Sequence, residues 1–248
     1  MSQPLGTLVK AMNVLDALGE QAPVGVLELA RRLELDKSAV SRILTTFRTR
    51  GYVRVNTDGR YDLGLRLFEL GQALQERMPV RETMIPHVDA IAQEIGETAF
   101  AVHYNHGQIA YLYDCVSTQD IRLGERVGRR VPPWNHVAGK AILAFMDEAE
   151  VLEMLATARS EQRKGLPTVN KFRCELAQVR KQGYASERDA EKCLFAVPVM
   201  NDISPVCSAL MLGGPAFRLP QSRIKSLAKL FKTHANAVSY SLGWIAKP

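Results

Sequence analysis

The chain has 248 residues, 46% of them hydrophobic and 7% aromatic, with a formal net charge of +6. That length holds one large domain or two small ones with a sizeable core, and the composition is ordinary for a globular protein. The longest apolar runs, such as 141–146, fall well short of the roughly 20 residues that cross a bilayer, and residues 1–10 lack the apolar core of a signal peptide; the chain reads as cytosolic, with no membrane partner.

Leu8, Met12, Leu15 and Leu18 recur at helical spacing and run into Gly19, which predicts a first helix with a glycine C-cap. A short second helix carries Leu27, Ala30 and Leu33 on one face. After a turn at Leu35 and Asp36, with Asp36 or Ser38 as the cap, Val40, Ile43, Leu44 and Phe47 repeat at i, i+3, i+4, i+7 and define a third helix. The runs 52–55 and 60–63 flank Asn56-Thr57-Asp58-Gly59, a turn-rich tetrad suited to a β-hairpin. The order is helix, helix, helix, wing.

On the third helix, the side opposite Val40 and Phe47 carries Ser38, Arg42, Thr45 and Thr49, with Ser41 at its edge. Short hydroxyls with one guanidinium are unlike the Lys/Glu mixture of an ordinary solvated helix, and they suit a DNA groove. Arginine can bond a guanine edge bidentately, and a helix N-terminus offers N–H groups to a phosphate. Charge agrees: residues 31–60 hold 8 basic side chains against 3 acidic. Arg54 and Arg60, on the hairpin, are placed to reach the flanking backbone or minor groove. The bland alternative is a three-helix unit used only for protein contacts.

From Leu63 to Arg77 the helical pattern continues through Leu67, Leu70 and Leu74 and stops at Met78-Pro79, which predicts a connecting helix. Beyond it the residues predict a helix over 81–95 and a hairpin of strands 98–104 and 108–116. A strand at 121–123 and helices at 138–146, 149–158 and 174–181 follow. Strands at 194–199 and 206–212 precede a final helix bearing Ile224, Leu227, Phe231 and Val238. Helices with antiparallel hairpins in this order give an α+β domain. Cys115, Cys174, Cys193 and Cys207 lie far apart with no CxxC and no close histidine, which argues against a zinc site and a disulfide framework; reduced thiols and no cofactor are expected.

These landmarks resemble the IclR (isocitrate lyase regulator) family of bacterial transcription factors from about Leu5 to Gly243. The likeness is carried by VLELARRLELDKSAVSRILTTFRTRGYV and GRYDLGLRLFELG in the first part. In the second it is carried by IPHVDAIAQEIGETAFAV, RVGRRVPPWNHVAGKAILAF, VRKQGYAS, and VPV followed by SALMLGGPAFRL. It implies a winged helix-turn-helix over 1–63, a linker helix over 64–78 and an effector-binding domain over 79–248. That domain would be a GAF/profilin-like, six-stranded antiparallel sheet flanked by helices. The implied partners are double-stranded operator DNA, a small organic acid and further copies of the chain, as homodimer or homotetramer. Lys37, Ser38, Ser41, Arg42, Thr45, Arg54 and Arg60 would contact DNA, and Ala39 stands where the family commonly has Thr.

For the ligand pocket the resemblance points to the Gly139-Lys140-Ala141 helix start, whose N–H groups suit a carboxylate. The alternative for Gly139 is close packing of helix on sheet. Met211 and Gly213 stand where family members that take small oxoacids have serines, and Trp134-Asn135-His136-Val137 precedes the helix; Asp189 and Cys193, which the resemblance also assigns to ligand binding, sit in a loop about three residues shorter than the family's. The expectation is a roomier, more apolar pocket. Trp134 and Met211 would form its walls, His136 a hydrogen bond, and Gly139 with Lys140 the carboxylate anchor, for an aromatic or bulky acid. Core filling by Trp134 and Met211 is the bland alternative. Arg122, Arg126, Arg129 and Arg130 crowd the approach. An effector-domain enzyme and an adaptor without DNA affinity are the rival functions, but no catalytic motif supports the first.

Overall fold

The computed structural model of the chain describes residues 5–124, 126–201 and 206–244. It divides into two compact units, Met1–Arg77 and Met78–Pro248. No helix among the described residues is long and apolar enough to cross a membrane.

The first unit contains α1 (Gly6–Glu20), α2 (Val26–Arg32) and α3 (Lys37–Thr49), then the hairpin strands β1 (Val53–Val55) and β2 (Tyr61–Leu63), then α4 (Leu65–Gln75). Its core is Val14, Ala17, Leu18, Leu29, Ala30, Val40, Leu44 and Val53, closed by Val24, which exchanges backbone hydrogen bonds with Tyr61 of the wing. Gly64 makes the tight join between wing and α4: a Cβ there would lie 2.2 Å from the Gly51 carbonyl oxygen, so only glycine fits.

Two sequence expectations are corrected in this unit. Helix α1 runs through Gly19 to Glu20, and it buries Val14, Ala17 and Leu18 while Leu8 and Met12 lie exposed. On α2 the buried residues are Leu29 and Ala30, with Leu27 exposed. The periodicity was real in both helices, but an apolar row facing outward has the same period as one facing a core.

The second unit is a six-stranded antiparallel sheet in the order β5-β4-β3-β8-β7-β6. Its strands are β3 (Thr98–Asn105), β4 (Gln108–Cys115), β5 (Arg130–Val131), β6 (Ala185–Arg188), β7 (Lys192–Met200) and β8 (Val206–Pro215). Helices α5 (Pro79–Ile95) and α9 (Ile224–Ser241) cover one face, where Ala99, Ala101, Cys193, Phe195, Leu210 and Leu212 point. Helices α6 (Val137–Leu143), α7 (Glu148–Ser160) and α8 (Val169–Gln182) pack on the cluster at the other face, which receives Phe100, Val102, Tyr111, Leu194, Ala196 and Met211. Both faces are covered at the centre of the sheet, so the central strands β3, β7 and β8 read as near-continuous apolar runs.

The expected strand at 121–123 is absent. That segment is held as a loop by side chains: the Leu123 carbonyl accepts from Thr98 Oγ1 at 2.7 Å and the Ile121 carbonyl from Arg218 at 2.5 Å. The edge strands β5 and β6 appear instead. Cys115, Cys174 and Cys193 are free thiols, while the side chain of Cys207 lies outside the described residues.

Candidate nucleic-acid interface and effector site

Val40 and Leu44 anchor α3 in the core and so turn its opposite side outward. Lys37, Ser38, Arg42 and Thr45 are exposed and Ser41 is half-buried. Thr49, expected on the same face, spends its hydroxyl on the Thr45 carbonyl at 2.9 Å. Asp36 stands at the N-cap position without bonding through its side chain, so the first N–H groups of α3 are open to an anion.

The wing arginines differ from Arg42 in being tied down. Arg54 and Asp62 face each other across the hairpin and pair at 2.7 Å, which holds the Asp62 carboxyl below its usual range. Arg60 donates through Nε to the Pro23 carbonyl at 3.0 Å and meets Glu28 at 3.1 Å. It therefore docks the wing on α2, a role invisible in the sequence because its partners lie over thirty positions away.

In the second unit, Trp134, His136, Met211 and Gly213 share one sheet face. Trp134 and Met211 belong to the buried cluster there. His136, the N-cap residue of α6, meets the Tyr111 hydroxyl through Nε2 at 2.8 Å. Burial, and then the positive charge of Arg126, depress the His136 pKa to about 4, so the ring is neutral at physiological pH. Tyr111 was missed by sequence reasoning, since its partner lies 25 positions away and leaves no local signature.

The remaining candidates are placed differently. Gly139 packs on the turn before α6: a Cβ there would lie 2.1 Å from the Pro133 carbonyl oxygen. Lys140 pairs with Glu175 of α8 at 3.0 Å. Two assignments are corrected. Cys193 points to the opposite sheet face, because side chains alternate and it is Leu194 that shares a face with Met211. Asp189 accepts the Glu191 and Lys192 backbone N–H groups at 2.8 Å each and caps the β6–β7 turn at the surface.

Trp134 and Met211, expected as walls of a roomy pocket, are both buried in one apolar cluster against which Leu123 packs. Leu123 lies over Gly213, where a Cβ would come within 2.6 Å of its Cδ2. A cavity of about 460 Å³ borders Trp134, but its other walls include Tyr104, Pro132, Glu150 and Met154 rather than Met211 or Gly213. The loop carrying Leu123 is pinned by Thr98 and by Arg218, whose guanidinium also pairs with the buried Glu97 carboxylate. Among the described residues no group of three or more His, Cys, Asp or Glu could hold a metal ion.

The pattern of the bacterial transcriptional regulator IclR C-terminal domain matches residues 72–240, and that of the IclR helix-turn-helix domain matches residues 7–57. The chain belongs to the IclR family. It is 31% identical over 249 residues to the HTH-type transcriptional regulator KdgR of Escherichia coli, covering 97% of this chain and 94% of the relative. Among solved structures, the Thermotoga maritima IclR superposes with a TM-score of 0.71 at 25% identity, covering 96% of this chain and 99% of that one. An IclR homologue from Microbacterium hydrocarbonoxydans, solved with 4-hydroxybenzoate, gives 0.79 at 21% identity, covering 96% and 99%. The IclR-family fold is the α+β arrangement expected from the sequence. The protein is a transcriptional regulator with a helix-turn-helix DNA-binding part and an effector-binding part.

Proposed function

We propose that this IclR-family regulator binds operator DNA in the cytoplasm as a homodimer or homotetramer and responds to a small organic acid held by its second unit. Residues 1–63 form the reading head, 64–78 the linker and 79–248 the sensor. The observation that carries the DNA reading is the outer side of α3: Ser38, Arg42 and Thr45 are exposed, and no partner in the unit engages the Arg42 guanidinium among the described residues. Arg42 and the hydroxyls of Ser38, Ser41 and Thr45 read base edges, and Lys37 with the open helix N-terminus meets a phosphate. Arg54, 72% exposed despite its ion pair, touches the backbone. Arg60 acts by fixing the wing.

Self-association is supported by apolar rows that no neighbour in the first unit covers. On α1, Leu8, Val9 and Met12 are exposed, as is Leu5 at its N-cap, and α4 buries no residue while exposing Leu65, Phe68, Leu70 and Leu74. Contiguous apolar faces of this kind mark interfaces. The 4-hydroxybenzoate held by the Microbacterium relative supports an organic acid as effector, aromatic ones included. The test is a gel shift on the DNA upstream of the chain's own gene over a salt series, joined to a thermal-shift screen of organic acids. Affinity that falls steeply with salt and prefers that fragment over random DNA is expected. Equal affinity for both would overturn operator recognition.

A further inference from the structure

Three described side chains bury a nitrogen that has no hydrogen-bond partner: Arg126 Nε, Trp134 Nε1 and His136 Nδ1. They fall within one short stretch, on the loop and turn that lead into α6, so they are a local set rather than scattered defects. Buried polar groups are satisfied almost everywhere in folded proteins, and each exception calls for an explanation, a bound ion among them.

Their chemistry is one-sided. The Trp134 and Arg126 nitrogens can only donate. When the Tyr111 hydroxyl donates to His136 Nε2, across 2.8 Å, the ring proton sits on Nδ1 and makes a third donor. One of the three carries a full charge. Asp114, which the structure brings to this loop, bonds its backbone and not its guanidinium: it accepts the backbone N–H groups of Arg126 at 2.7 Å and Val127 at 3.3 Å. The Asp114 carboxylate thus fixes the loop and leaves the guanidinium for something else. The Arg126 loop is bonded to the Tyr111 backbone, Gly128 N–H donating to the Tyr111 carbonyl at 3.1 Å and Tyr111 N–H to the Arg129 carbonyl at 3.2 Å, and the Arg126 charge is felt by both His136 and Tyr111. The alternative anchors are already engaged. Lys140 meets Glu175 at 3.0 Å, and Gly139 lies under the Pro133 carbonyl.

We propose that Arg126, from the loop over the sheet, holds the carboxylate of the effector, with Trp134 Nε1 and His136 Nδ1 as neutral donors beside it. This rests on the reading of the second unit as an organic-acid sensor and assigns the charge recognition within it. An acceptor-rich anion completes all three groups, and a charge-assisted bond to a guanidinium away from bulk water is the strong member of the set. Specificity follows, because an ester or amide of the same acid would leave the Arg126 charge uncompensated.

The test uses the full-length protein and calorimetric titration with benzoate, 4-hydroxybenzoate and pyruvate, each beside its methyl ester. The wild type is expected to bind at least one acid and to bind its ester at least about tenfold more weakly. Arg126→Gln loses at least about tenfold for that acid, Arg126→Lys loses less because it keeps the charge, and Lys140→Gln stays within about twofold. Circular dichroism checks that each variant is folded, and the ester comparison needs no variant. An ester that binds as tightly as its acid would overturn the assignment while the sensor reading stands. So would a folded Arg126→Gln that keeps wild-type affinity while Lys140→Gln loses it. If none of the acids binds the wild type, the sensor reading itself fails and Arg126 falls with it.

Discussion

Arg42 and Arg54 differ by one ion pair, and that difference makes them separable. Arg42 stands on the outer side of α3, while Arg54 shares its charge with Asp62 at 2.7 Å. Arg42→Ala should lower operator affinity and relax one base position by roughly 1 to 3 kcal/mol. Arg54→Ala should weaken operator and random DNA alike, as a phosphate contact does. Competition gel shifts with single-base operator variants measure both; equal losses on every sequence for Arg42→Ala would contradict its role. His136 offers a second residue-scale measurement. Its folded pKa is about 4 against 6.5 for a free histidine, so between those values the unfolded chain binds a proton that the folded chain refuses. Stability should therefore fall as pH drops from 6.5 to 4 and be independent of this group above 7, with a total loss of about 3 kcal/mol. The difference in urea midpoint between wild type and His136→Gln, followed from pH 7.5 to 4, isolates it, and parallel curves would refute it.

At the scale of elements, the sequence showed most of the first unit because its helices and hairpin each bear a local signature: the period of Val40, Leu44 and Phe47, or the turn at Asn56 to Gly59. What it concealed was direction. Leu8 and Met12 keep helical time as faithfully as Val14 and Leu18, yet only the latter pair enters the core. In the second unit Ile121 to Leu123 looked like a strand, but Thr98 and Arg218 claim its carbonyls, and such long-range partners leave no local trace. The two edge strands were missed because β5 has only two residues and β6 is exposed beyond Ala185. Trp134, His136, Met211 and Gly213 do share a face, whereas a one-residue difference in parity put Cys193 on the other. The outward rows of α1 and α4 lead to a measurement. Phe68→Asp, on a helix with no buried residue, should weaken self-association by at least about 30-fold in sedimentation experiments while leaving the fold of the unit unchanged. Loss of operator affinity at low protein concentration should accompany it, and an unchanged oligomer would exclude α4 from the interface.

For the whole molecule, a regulator is defined by the free energy that couples its two ligands. If an acid lowers operator affinity by some factor, bound operator must lower affinity for that acid by the same factor, typically between 5-fold and 150-fold for coupled sites. Titrating the acid with and without saturating operator DNA tests this, and identical acid affinities in both titrations would show that the second unit does not govern the first. The sign of the coupling, repression relieved or repression imposed, comes from the same pair of titrations.

Leu123 resting on Gly213 has a consequence for how such a sensor is tuned. If the proposed acid enters by that face it would compete with a side chain of the protein, and its apparent dissociation constant would be the intrinsic one divided by the fraction of molecules in which Leu123 has withdrawn. The response threshold would then drift through substitutions at positions such as Thr98, Gly213 or Arg218, which change how firmly the leucine is seated without touching the donors proposed for the acid. Two regulators with the same acid-binding groups would answer to very different metabolite concentrations.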